Sequence, residues 1–233
     1  MKIICVSSIH KEGLEKYGDI FIKSFEENFP NECDLYIYTE NCKPKFNRKN
    51  IFTVDIFEKC GYDKINNFKN FFNNKDYLNQ KKNIYDKVTK KYGINHATDI
   101  YAWNCKVSSY LHCIKNYSNG YDFLIWLDFD LYFINKLSFT KLLNIIKYKD
   151  KYTYISSLQS SSNIFSSDIR LETGFLVFNL KHHIHTTFIE DYEKKWYLPT
   201  KYLFKLENPT DDCFLKYFID NYCKDKNIKF NNL

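Results

Sequence analysis

The 233-residue sequence predicts an α/β domain, with a central, mostly parallel mixed sheet flanked by helices. Three observations lead there. Phe123-Leu-Ile-Trp-Leu127 is apolar without alternation, as a strand is when both faces of its sheet are covered. The first 57 residues read strand, helix, strand, strand. Further on, apolar residues recur at three- and four-residue steps between strand-like runs, the period of helices packed on a sheet.

Lys2 to Ile9 reads as the opening strand, because Ile3, Ile4 and Val6 are β-formers bounded by Ser7-Ser8. A helix follows, carried by Leu14, Tyr17, Phe21, Phe25 and Phe29 and ended by Pro30-Asn31. Asp34 to Thr39 is the second strand and Ile51 to Phe57 the third. From Gly61 to about His96 the sequence turns polar, with Asn66-Asn67 and Asn73-Asn74, and reads as a helical insertion or a flap. Ile100, Trp103, Val107, Tyr110, Leu111 and Ile114 then mark an amphipathic helix stopped by Asn119-Gly120. Beyond Leu127, Tyr152 to Leu158 reads as a strand, Ser160 to Ser167 as a loop and Gly174 to Phe178 as a buried strand. Leu215, Phe218, Ile219 and Tyr222 mark a last helix. No internal repeat appears, so a single domain over residues 1–233 is expected.

Composition narrows the function. Hydrophobic residues make up 44% and aromatic residues 19%, so bulky rings must fill the core and the chain is a folded one. The formal charge of +6 comes from lysine, since Arg48 and Arg170 are the only arginines. Those lysines are scattered through Asn-rich stretches, which describes a solvated surface and argues against a nucleic-acid partner. The eight cysteines include no Cys-x-x-Cys pair, which disfavours a zinc ribbon. Cys5 and Cys113 lie inside apolar patterns, as reduced thiols do, so a cytoplasmic setting is expected. No apolar run approaches about 18 residues, so no membrane span is expected.

The strongest chemical signal is Trp126-Leu127-Asp128-Phe129-Asp130, two carboxylates placed where an apolar strand ends. Ligands of open α/β sheets bind at the carboxyl ends of strands. Two like charges held side by side are costly unless a cation neutralises them, and this pair suits Mg²⁺ or Mn²⁺ holding a diphosphate. Such a metal would stabilise a nucleoside-diphosphate leaving group. The plainer reading makes both residues turn formers that cap the strand.

Together, Trp103-x-x-Lys106 and Phe123-Leu-Ile-Trp-Leu-Asp-Phe-Asp-Leu-Tyr-Phe-Ile-Asn135 resemble the DxD region of GT-A-fold glycosyltransferases, above all the glycogenin-like and galactosyl/xylosyl-transferase-like branches. The resemblance implies a nucleotide-binding half over about 1–130 and an acceptor half over about 131–233. It places Asp128 near the donor ribose or sugar and at the metal, and makes Asp130 a metal ligand. Ser7 and Ser8 would close the first strand beside the nucleotide, with Thr39 and Glu40 ending the second strand nearby. Lys106 would reach the donor phosphates, although a lysine on a solvated helix face is the commoner case.

Two later segments extend the likeness. Glu172-Thr-Gly174-Phe-Leu-Val-Phe-Asn179 is similar to a segment lining the acceptor side, with Glu172 where Asn is common, and Gly174 would let backbone approach a ligand. Pro209-Thr-Asp211-Asp212 is similar to an Asp-Gln segment at a helix start beside the acceptor pocket. The resemblance makes Asp211, Glu172 and Asp212 the candidates for taking the acceptor hydroxyl's proton. Thr210 as a helix cap with two acids at its dipole is the structural alternative. His182, His183 and His185 fall earlier than the further metal-binding His of this family.

The expected function is therefore a glycosyltransferase, hexosyl or pentosyl. It would move a sugar from a nucleotide-diphospho-sugar, a UDP-sugar ahead of a GDP-sugar, to a glycan or other hydroxyl acceptor with Mn²⁺ or Mg²⁺. The alternatives are a non-catalytic nucleotide- or sugar-binding module, a phosphatase and a nucleotidyltransferase. Tyr132 stands where a phosphatase of the haloacid-dehalogenase type wants Thr or Val, and no Gly-rich nucleotide loop is found.

Overall fold

The first strand, β1 (Ile3–His10), shows why the fold has three layers. Ile3 and Cys5 pack into one apolar cluster while Ile4 and Val6 pack into another, so β1 is buried on both faces by the alternation of its own side chains. A computed structural model of the chain describes residues 1–66, 96–146, 153–159, 171–197, 215, 218, 219 and 229–232.

After β1 the chain makes a single helical turn, α1 (Lys11–Gly13), a π-turn at Leu14–Gly18, and the helix α2 (Asp19–Asn28). The backbone N–H of Gly13 donates to Nδ1 of His10 at 3.0 Å, which caps the turn. Phe21, Ile22 and Phe25 bury on the Ile3/Cys5 face. Phe29 leaves the helix in extended conformation before Pro30, stacking on Phe25 at 4.7 Å. Strands β2 (Cys33–Glu40) and β3 (Ile51–Asp55) follow.

The strand expected to run to Phe57 stops two residues early. The Asp55 carboxylate accepts from the N–H groups of Phe57 and Glu58, both at 2.9 Å, and starts a short helix, α3 (Ile56–Cys60), that ends at Gly61 with φ of 91°. Most of the polar segment expected as an insertion, residues 67–95, lies outside the described residues.

Helix α4 (His96–Asn116) covers the other face of the sheet, where Val107, Tyr110, Leu111 and Ile114 pack with Ile4, Val6, Leu124 and Trp126. The chain turns through Gly120, at φ of 88°, into β4 (Phe123–Leu127), every residue of which is buried. Next come α5 (Phe139–Ile145), capped by the Ser138 hydroxyl, and the strands β5 (Thr153–Gln159) and β6 (Leu171–Asn179). Helix α6 (His185–Trp196) and the strand β7 (Lys229–Asn232) complete the described elements.

Three of these elements, α5, α6 and β7, are additions to the sequence reading. The expected helix around Leu215 is described at Leu215, Phe218 and Ile219, all buried, with Phe218 edge-on to Phe188 at 5.0 Å.

The sheet has seven strands in the order β3-β2-β1-β4-β6-β5-β7. Strands β1, β2, β3 and β4 run parallel, while β6 runs antiparallel to β4 and β5. From β1 the chain steps outward to β2 and β3, then returns to lay β4 on the opposite side of β1. The reversal of strand order therefore falls between β1 and β4, and a crevice is expected at their carboxyl ends.

Candidate active site

A cavity of about 860 Å³ opens where that crevice is expected, within the size range of small-molecule sites. Its walls come from the ends of β1 (Ser8, His10), β2 (Glu40, Asn41) and β4 (Asp128, Asp130), from α4 (Tyr101, Lys106), and from Thr173 on β6.

Asp128 follows the last residue of β4, and its backbone N–H donates to the Gly174 carbonyl at 2.8 Å, extending the β4–β6 ladder by one bond. Side chains alternate along a strand, so Asp128 lies on the same face as Trp126. Trp126 is 1% exposed and its indole N–H needs a buried partner, which it finds in Oδ1 of Asp128 at 2.6 Å. Lys106 reaches the same carboxylate from α4, with Nζ 3.0 Å from Oδ1 and 3.4 Å from Oδ2. The Lys106 ammonium lies 5.5 Å from the centroid of the Trp126 ring.

This lysine is buried, against the commoner expectation of a solvated helix face. A buried ammonium is tolerated where a carboxylate and an aromatic face offset its desolvation, and both are present. Asp130, two residues on, is exposed and lines the cavity. The backbone turns between them, the N–H of Leu131 donating to the Asp128 carbonyl at 3.2 Å. The intervening Phe129 is buried in the α2 layer, 4.4 Å from Phe21.

On the far side of β1 the cavity wall changes character. Glu40 ends β2, and the Tyr101 hydroxyl donates to its Oε1 at 2.8 Å. Burial, with Cys105 and Glu40 adding to it, pushes the Tyr101 phenol above its ordinary value, so Tyr101 acts as a neutral donor. Tyr38 and Tyr101 lie at this end, Tyr17 also lines the cavity, and the chain leaves β2 through Asn41 at φ of 51°.

Several residues singled out in sequence come together here. Ser8, Lys106, Asp128 and Asp130 all line the cavity. Ser7 lies one layer behind, fully buried, with its hydroxyl donating to the Leu127 carbonyl at 2.7 Å and so tying β1 to β4. Thr39 is also buried, its hydroxyl facing the Val54 carbonyl at 3.4 Å, while its neighbours Tyr38 and Glu40 reach the cavity. Alternation along β1 and β2 explains both cases, because only every second side chain can face the same space.

Glu172 lies on β6 two residues before Gly174, so its backbone sits at the Asp128 edge of the sheet. Asp211 and Asp212 lie outside the described residues. Cavity-lining residues that sequence reasoning missed include His10, Tyr17, Tyr38, Asn41, Tyr101, Trp126 and Thr173. Tyr101 sits one turn before Cys105 and Lys106 on α4, and that spacing was the available signal.

The three neighbouring histidines lie elsewhere. Strand β6 runs antiparallel to β4, pairing Phe175 with Leu127 and Asn179 with Phe123, so the chain after Asn179 emerges at the opposite edge from Asp128. There His182 packs on Tyr154 and accepts from the Ile184 N–H through Nδ1, while Nδ1 of His185 pairs with the Tyr154 hydroxyl at 2.8 Å.

Among the described residues no group of three or more His, Cys, Asp or Glu could hold a metal alone. Asp130 and the Asp128 carboxylate nevertheless fit a divalent cation of the kind bound through one or two carboxylates plus substrate phosphates.

No protein-family profile matches the sequence, and no curated protein matches it in sequence. Solved structures do match in three dimensions. Mouse xyloside xylosyltransferase 1 superposes with a TM-score of 0.54 at 12% identity, over 100% of this chain and 85% of that one. The glycosyltransferase GlyE of Streptococcus pneumoniae gives 0.53 at 11%, over 100% of this chain and 45% of that one. The galactosyltransferase LgtC, solved with donor and acceptor sugar analogues, gives 0.51 at 11%, over 91% and 69%. The chain thus has the GT-A glycosyltransferase fold.

Proposed function

We propose that this chain is a metal-dependent glycosyltransferase that moves a sugar from a nucleotide-diphospho-sugar to a hydroxyl of a glycan or similar acceptor. The observation that carries the reading is the cavity at the β1/β4 crevice, with Asp128 and Asp130 in its wall and a GT-A fold around it. The polar end at Asp128 and Asp130 suits a diphosphate. The end framed by Tyr38, Tyr101 and Glu40 offers ring faces and a carboxylate acceptor, which suit a nucleoside. We read the chain as one domain, its first 130 or so residues holding the donor and the rest the acceptor.

Asp130 and Asp128 would hold Mn²⁺ or Mg²⁺, which supplies positive charge to the departing diphosphate. Trp126 and Lys106 fix the Asp128 carboxylate so that it does not swing on binding. Thr173, and Glu172 beside it in sequence, would meet the sugar and acceptor on the β6 side. Glu172, Asp211 or Asp212 would take the acceptor's proton. Among the described residues no helix is long and apolar enough to cross a membrane, and we place the protein in the cytoplasm because its cysteines at 5, 33, 42, 60, 105 and 113 are free thiols.

The test is thermal stabilisation by UDP-, GDP-, CMP- and dTDP-sugars, each with and without Mn²⁺, followed by donor hydrolysis. Stabilisation appears where a ligand prefers the folded state. One nucleotide class acting only with metal, and turnover of its sugar, supports the proposal. Metal-dependent stabilisation without turnover means a binding module, and a flat panel rejects nucleotide-sugar chemistry.

A further inference from the structure

Three strand ends in a row meet the cavity, and a nucleoside diphosphate has three parts. The sheet order β2-β1-β4 sets Asp128 just after β4, Ser8 and His10 at the end of β1, and Glu40 as the last residue of β2. In the parallel β1–β2 ladder Ser8 pairs with Tyr38 and His10 with Glu40, so these four side chains share one face, and all four line the cavity. Neighbouring strands lie about 5 Å apart, which puts β2 roughly 10 Å from β4. A diphosphate at Asp128 and Asp130 therefore lays its ribose over β1 and its base against β2. Resting on the donor reading, we propose that Glu40, oriented by Tyr101, reads that base by accepting the ring N–H of a keto base, so that the site takes uridine or guanosine diphosphate and rejects cytidine and adenosine diphosphate.

A carboxylate accepts hydrogen bonds and donates none. Uracil at N3 and guanine at N1 present a ring N–H, with which a carboxylate makes a charge-assisted bond. Cytosine at N3 and adenine at N1 present a lone pair instead, and two acceptors brought face to face away from water both go unsatisfied. Direction matters as much as chemistry. The Tyr101 hydroxyl donates to Oε1 of Glu40 at 2.8 Å from a helix packed on the sheet, which fixes the way the carboxylate's other acceptor sites point. Burial keeps that phenol protonated, so it holds Glu40 as a donor and brings no charge of its own. The remaining charged groups of the lining are accounted for separately. Lys106 stands 3.0 Å from Asp128 on the diphosphate side, with Asp130 two residues on. Lys11 and Glu12 project, exposed, from the turn that follows β1, which makes Glu12 the rival acceptor. Glu40 is thus the specificity-determining residue and Tyr101 its positioning residue.

Calorimetric titration of UDP, GDP, CDP and ADP, each with Mn²⁺, into wild type, Glu40→Gln, Tyr101→Phe and Glu12→Gln tests this. In wild type the tighter of UDP and GDP should exceed both CDP and ADP by at least about tenfold, the factor for a missing hydrogen bond to a charged group. Which of the two leads names the base, and either order supports the proposal. Glu40→Gln keeps the shape but exchanges one acceptor for an amide donor, so the ratio should shrink to less than about threefold, chiefly through tighter CDP and ADP. Tyr101→Phe should lower the ratio in part, whereas a merely structural role for Tyr101 would weaken all four nucleotides alike. Glu12→Gln should leave the ratio as in wild type. CDP or ADP binding wild type as tightly as UDP and GDP, an unchanged ratio in Glu40→Gln, or a ratio lost in Glu12→Gln instead overturns the inference. Should Glu40→Gln lose its near-ultraviolet circular dichroism, Glu40→Ala replaces it, and the wild-type ranking decides by itself whether keto bases are selected. Failure of all four nucleotides to bind overturns the donor reading itself, an outcome distinct from nucleotides that bind without discrimination.

Discussion

The two edges of the central sheet carry similar side chains and do opposite things. At the carboxyl ends of β1, β2 and β4, Glu40, Tyr101, Lys106, Asp128 and Asp130 surround an open cavity. At the other edge, Tyr154, His182 and His185 bond and stack on one another beneath Phe188 and Tyr192. Titratable residues therefore do not mark the site by themselves. Strand order does, because the parallel strands diverge into opposite connections only at the β1/β4 edge and leave a crevice there.

The comparison breaks if changes at either edge have the same consequence. The largest stability effect should come from Tyr192→Ala at the histidine edge, about 3–5 kcal/mol by denaturant unfolding, since Tyr192 is 1% exposed and packed against Phe188, Trp196 and Phe218. Donor affinity of the fraction still folded should be unchanged, and a loss of affinity would mean that the two edges are coupled.

Acid should act at the same edge. Burial, and then the neighbouring His182 charge, lower the His185 pKa from 6.5 to about 4. The unfolded chain therefore binds a proton that the folded chain does not between pH 6.5 and about 4. Stability from this group is complete above pH 6.5 and falls as pH drops through that window, by up to about 3 kcal/mol. Unfolding curves at pH 7.5 and 4.5 check this, and His185→Gln should remove most of the difference.

Asp130→Asn at the cavity edge should reverse the pattern. An exposed side chain without a structural partner among the described residues should change stability by less than about 0.5 kcal/mol, while Mn²⁺-dependent nucleotide affinity should fall about 10- to 100-fold by calorimetry. Undiminished affinity would remove Asp130 from the site. Ser7→Ala sharpens the boundary between wall and cavity. It should lose about 1–3 kcal/mol by leaving the Leu127 carbonyl without its hydroxyl, with donor binding preserved. The smallest effect, about 1 kcal/mol, is expected for Asp55→Ala, which removes the cap of α3.

Much of the fold was legible because its core elements repeat local rules. β1, β2 and β4 are short apolar runs, and α4 carries a long helical period, so each was found within a few residues. Helix α6 was legible too, through Phe188, Ile189, Tyr192 and Trp196 at helical spacing, but the sequence reading named no element between Phe178 and Leu215. Strand β7 has only Lys-Phe-Asn-Asn to announce it, and a four-residue edge strand exists through pairing with β5 rather than through its own pattern.

By itself the sequence determined the class of fold and that Asp128 and Asp130 stand together where an apolar strand ends, because a buried strand ending in two acids is a local feature. Only the tertiary structure decided which neighbours serve that pair. It brought Lys106 and Trp126 onto one carboxylate, turned Ser7 and Thr39 into the wall while Ser8 and Glu40 faced the cavity, and sent the histidines to the opposite edge. The physical reason is that alternation along a strand and the direction of β6 are settled by pairing between strands far apart in sequence.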